Sequence, residues 1–81
     1  MRRIKNVREL RESIKRGNTD FRVCLNGGMY SRKTIYLCDD GTFAMFNGID
    51  GSMRGYTGKQ LRYETIVGRA MRAGAFLAED E

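Results

Sequence analysis

The apolar residues of this chain change their spacing at Gly17, and that change restricts the class of fold open to it. Before Gly17, Ile4, Val7, Leu10 and Ile14 recur every three or four residues, the period of one buried helical stripe. After it, Phe21, Val23 and Leu25 alternate with Asp20, Arg22 and Cys24, the period of a half-buried strand. A helix followed by antiparallel strands, in a chain of 81 residues, leaves room for a single α+β domain over 1–81 with one modest core.

Local signals bound each element. Asn6 and Glu9 read as an N-cap and its capping-box partner, while Lys15, Arg16 and Gly17 suit a helix C-terminus, so the first helix is expected over 7–16. Asn26-Gly27-Gly28 turns the chain after the first strand. A second strand is expected over 32–38 and a third over 42–47, joined by Asp40-Gly41 as a two-residue hairpin loop.

That loop sets Asp39 opposite Thr42, Leu37 opposite Ala44 and Ile35 opposite Phe46. The core face then holds Phe21, Val23, Leu25, Ile35, Leu37, Ala44 and Phe46, and the other face Arg22, Cys24, Thr34, Tyr36, Cys38, Phe43 and Met45. Pairing Val23 with Ile35 separates the two cysteines by about 13 Å at roughly 3.4 Å per residue, beyond disulfide reach. With no His, no C-x-x-C and two free thiols, neither a structural metal nor a cofactor is expected.

Beyond a glycine-punctuated loop over 48–55, Thr57 and Gln60 form a second capping box, with Tyr56 and Leu61 as its hydrophobic staple. Leu61, Ile66, Ala70 and Met71 mark a C-terminal helical segment, one helix or two depending on whether Thr65 divides it, and Gly74 stops it. Ala75-Phe76-Leu77 offers a short final strand or a packing tail. The expected architecture is an N-terminal helix, a three-stranded antiparallel meander and this segment, with residues 1–5 as a flexible basic arm and 78–81 as a flexible acidic tail. No apolar run approaches 18 residues and no signal-peptide stretch follows Met1-Arg2-Arg3, so a cytoplasmic protein without membrane contact is expected.

Charge carries the functional reading. The first sixteen residues hold seven basic and two acidic side chains, which equals the whole-chain net charge of +5. The remaining 65 carry eight of each sign. On a wheel of 100° per residue, Arg8, Arg11 and Lys15 form one ridge beside the buried stripe, suited to tracking phosphate, with Arg2, Arg3 and Lys5 as the arm. The bland reading is a solvated face, partly neutralised by Glu12, four residues from both Arg8 and Arg16.

Catalytic motifs are absent. A P-loop ending at Gly58-Lys59 would need Gly where Met53 stands and Ser or Thr where Gln60 stands. An RNA-recognition signature from Arg54-Gly55-Tyr56 fails at Thr57-Gly58, and Gly48-Ile49-Asp50-Gly51 matches a KH loop only in its glycines, with Asp50 set to repel phosphate. Asp39 and Asp40 sit in a hydrated turn, and no base is expected beside Cys24 or Cys38. The chain is read as non-enzymatic.

The order helix, three antiparallel strands, helix is similar to that of double-stranded RNA-binding domains. That resemblance implies RNA contacts from Arg8, Arg11 and Lys15, then from Lys59 and Arg62. Glu9-Leu10-Arg11, Leu25-Asn26-Gly27-Gly28 before Ser31-Arg32-Lys33-Thr34-Ile35, and Gly74-Ala75 together resemble small uncharacterised accessory proteins of bacterial mobile elements, a likeness that brings no activity with it.

Two functions follow as expectations. The first is a binding module that contacts nucleic-acid backbone through Arg2, Arg3, Lys5, Arg8, Arg11, Lys15, Lys59 and Arg62. The second is a protein-interaction or homodimerisation domain using Arg22, Tyr36, Phe43 and Met45 on the mixed sheet face, where Tyr36, Phe43, Arg22 and Thr34 also compose a stacking platform for single-stranded bases.

Overall fold

A computed structural model of the chain describes residues 2–46, 50–72 and 74–80. In chain order the elements are β1 (Arg3–Ile4), α1 (Val7–Lys15), β2 (Asp20–Cys24), β3 (Tyr30–Leu37), β4 (Phe43–Phe46), β5 (Met53–Tyr56), α2 (Gly58–Glu64), α3 (Ile66–Arg72) and β6 (Phe76–Glu79). The class is α+β. The sheet, however, has six strands in the order β1-β6-β2-β3-β4-β5, with every pair antiparallel. The expected meander survives as β2-β3-β4 and is extended on both sides.

The helix ends follow their chemistry. Asn6 accepts from the Glu9 N–H at 2.9 Å, and Glu9 in turn accepts from the Lys5 N–H at 2.7 Å. At the other end Gly17 has φ +102°, the Gly17 N–H donates to the Ile14 carbonyl and the Asn18 N–H to the Ser13 carbonyl, which closes α1 with a Schellman motif. Thr65 does divide the C-terminal segment. Its hydroxyl donates to the Leu61 carbonyl at 2.7 Å and accepts from the Gly68 N–H at 3.1 Å, ending α2 and starting α3 around one side chain.

The corner is tight enough to dictate a residue. A Cβ at Gly68 would lie 2.1 Å from the Leu61 carbonyl oxygen and 2.2 Å from that of Arg62. Only glycine lets α3 approach the end of α2 so closely.

Register corrects the expected faces. The β3–β4 hairpin closes between Cys38 and Thr42, leaving a three-residue loop, Asp39-Asp40-Gly41, with Gly41 at φ +86°. One extra loop residue moves β4 by one position, so Leu37 pairs with Phe43 and Ile35 with Met45. Every β4 side chain therefore changes face. Phe43 is fully buried and Met45 packs on the core, whereas Phe46 is 39% exposed and Ala44 lies beside Tyr36 on the opposite side.

The β2–β3 pairing also differs, by an even number of positions. Val23 pairs with Ser31 and Cys24 with Tyr30, because the Leu25–Met29 closure starts β3 early. The faces survive that shift. Cys24 and Cys38 are both free thiols, and the register puts Cys38 eight residues along β3 from the position opposite Cys24, about 27 Å at 3.4 Å per residue.

All three helices pack on one face of the sheet. Ile4, Leu10, Phe21, Val23, Ile35, Phe43, Leu61, Val67 and Leu77 form the buried core between the layers. The arm and tail are corrected as well. Arg3 and Ile4 pair with Ala78 and Leu77, Ile4 is in the core, and β6 lies between β1 and β2. Met53–Tyr56, expected as the end of the 48–55 loop and the staple residue before the Thr57 cap, forms the edge strand β5. The third strand's expected end at Asn47, the Gly48-Ile49 part of the glycine loop, Met1 of the arm and Glu81 of the tail lie outside the described residues.

Candidate nucleic-acid interface

The basic residues singled out in the sequence do not stay together. Lys5, between β1 and α1, and Lys59 and Arg62, on α2, line two adjoining grooves between the start of α1 and the α2–α3 corner, of about 440 and 160 Å³. Val7, Gly58 and Tyr63 complete the larger groove, while Asn6, Met71 and Arg72 enter the smaller. Arg11 reaches the rim, where a Cβ on Gly58 would lie 3.9 Å from its Nη2. Among the described residues no carboxylate lines either groove.

The expected ridge is split. Arg11 is half-buried, with its guanidinium 5.3 Å from the centre of the Phe43 ring, whereas Arg8 and Lys15 are exposed on α1. Arg16 is held by Glu79 at 3.1 Å, a residue 63 positions away, and the same carboxylate accepts from the buried Ser13 hydroxyl at 2.7 Å. Arg2 lies at the sheet edge, its carbonyl accepting from the Glu79 N–H. Arg3 projects from the helix-free face of the sheet, over Phe76 at 4.8 Å, and so points away from the groove.

Arg72 and Tyr63 were missing from the expected set. The Arg72 guanidinium sits 4.8 Å from the centre of the exposed Tyr63 ring. In a continuous helix Arg62 and Arg72 would be about 15 Å apart along the axis. The bend at Thr65 and Gly68 brings both to the same groove, and the Thr65 break was the signal that pointed to it.

The expected interaction face is half corrected. Arg22 and Tyr36 do lie on the helix-free side, but the register places Phe43 and Met45 on the helix-covered side, where Phe43 is in the core and Met45 packs against it. In the hairpin turn, Asp40 accepts from both the hydroxyl and the N–H of Thr42, which holds its carboxyl below the ordinary value of 3.8. Asp50 is lowered by the Ser52 hydroxyl and N–H in the same way. Both groups are fully hydrated and stay ionised, which suits turns and not proton transfer.

Among the described residues no cluster of three or more His, Cys, Asp or Glu is arranged to hold a metal ion, and no helix is long and apolar enough to cross a membrane. No protein-family model, no curated protein and no solved structure matches the chain.

Proposed function

We propose that this protein is a non-enzymatic module that binds the nucleic-acid backbone in the groove between α1 and the α2–α3 corner. The observation that carries this reading is the convergence of Lys5, Lys59, Arg62 and Arg72, drawn from three separate stretches of the chain, on grooves that no described carboxylate lines. Clustered cations raise the potential along a concave surface and attract polyanions. Arg11 at the rim and Arg8 nearby on α1 extend the same sign outward.

Arg62 presents a planar fork suited to two phosphate oxygens, and Lys59 and Lys5 act as point charges. Tyr63, already carrying Arg72, supplies a ring at the groove wall. If four phosphates are neutralised, log K falls with log salt at a slope of about −3.6 on duplex DNA. The test is titration of a labelled duplex across a salt series, comparing the wild type with Lys59→Glu/Arg62→Glu. Loss of binding and a shallower slope are expected in the variant, and equal affinity in both proteins, or no duplex binding at low salt, refutes the reading.

A further inference from the structure

The helix-free face of the sheet has a composition of its own. In register across β1, β6, β2 and β3 stand Arg3, Ala78, Arg22 and Arg32, so three guanidiniums cross the face in one row. On one side of that row Phe76, Cys24 and Tyr30 are paired neighbours at the mouth of a cleft of about 430 Å³. On the other side Tyr36 and Phe46 stand on adjacent strands, 41% and 39% exposed, and the small Ala44 and Gly55 continue the Tyr36 row as a shallow trough.

The arginines are positioned by other side chains. Asp80, its side chain only 5% exposed, accepts from Arg22 Nε and Arg32 Nη2, both at 2.8 Å. The Arg22 guanidinium is 4.9 Å from the centre of the Tyr30 ring, as Arg3 is 4.8 Å from that of Phe76. Three arginines against Asp20 and Asp80 leave the face nearly neutral, in contrast to the groove on the far side of the sheet.

The geometry points to a second site on this face, one that takes single-stranded nucleic acid by stacking its bases on the rings and guanidinium planes. Unpaired bases expose π-faces to aromatic rings and Arg, while a duplex keeps them within its own stack. Along β3, Tyr30 and Tyr36 are six residues apart on the same face, about 20 Å, with Arg32 between them. A strand laid over the face therefore meets ring, guanidinium and ring in succession. A second copy of the chain fits less well, because the rings are separated by arginines that would face their own equivalents.

The experiment uses the full chain with an oligothymidylate of about ten nucleotides and an abasic oligomer of the same length. The chain has four Tyr and no Trp, and Tyr63 stands at the wall of the backbone groove, so the titration uses the full chain carrying Tyr63→Phe, in which Tyr30 and Tyr36 report stacking on this face. The oligothymidylate should quench that emission and the abasic oligomer should not. Each of Tyr36→Ala and Phe46→Ala should weaken oligothymidylate binding about fivefold or more. Lys59→Glu/Arg62→Glu should leave the quench intact, so failure of the groove reading and failure of this one are separable. With the groove disabled by Lys59→Glu/Arg62→Glu, equal affinity for the abasic oligomer, unchanged affinity on adding either ring variant, or a sedimenting dimer that the ring variants dissociate would overturn the proposal.

Discussion

The two faces of the sheet are built from the same four central strands and carry different chemistry. Beneath the helices stand Phe21, Val23, Ile35 and Phe43, all fully buried, with Leu10, Leu61 and Val67 packed on them. The uncovered side alternates rings with arginines, and its buried carboxylate, Asp80, is bound by two of them. Aromatic content therefore does not distinguish a core from a binding surface. Phe43 and Phe46 are three residues apart on one strand, and a single loop residue decides which of them is structural.

That contrast is broken most severely if Phe43→Ala and Phe46→Ala prove equally harmful. Phe43→Ala should lower stability by about 3–5 kcal/mol, because it empties a fully enclosed site. Phe46→Ala should stay within about 1 kcal/mol. Denaturant melts of the two proteins side by side measure this.

Glycine gives a sharper version. Gly68→Ala drives a Cβ into two backbone carbonyls of α2 and should destabilise by about 3 kcal/mol, shifting the helical signal with it. Gly55→Ala, on the uncovered face with nothing within 4 Å of the new Cβ, should be neutral or slightly stabilising. Thermal melts monitored in the far ultraviolet would separate them.

The smallest effect lies in the turns. Asp40 and Asp50 are held below 3.8 in the folded state, so the stability they contribute is present above that pH and is lost as pH falls through their folded values. Side-chain carbon NMR across an acid titration should show both protonating below the ordinary value of 3.8. Thr42→Ala should return Asp40, and leave Asp50 where it is.

Much of this was readable in residue order, and the failures have physical causes. The caps at Asn6 and Thr57, the break at Thr65 and the turn glycines act within one helical turn, so local sequence encodes them. The short strands β1 and β5 carry no alternation to detect, since Arg3–Ile4 has two residues and β5 contains Gly55. Arg16 was assigned to Glu12 by spacing, yet Glu79 holds it, a pairing that depends on where β6 sits. Three of the four groove cations were visible as Lys5, Lys59 and Arg62, while Arg72 joined only through the corner that Gly68 permits.

The position of β6 has a consequence for how the molecule is made. Residues 76–79 are the last strand in chain order, yet they are sandwiched between the first two. When β2, β3 and β4 leave the ribosome, β1 has no neighbour to pair with and α1 lacks the Glu79 carboxylate that anchors Ser13 and Arg16. The meander can zip early, but closure between distant ends of the chain comes last and carries most of the loop-closure entropy. Refolding should therefore show the N-terminal amides gaining exchange protection late, together with those of 76–79 and after those of β3.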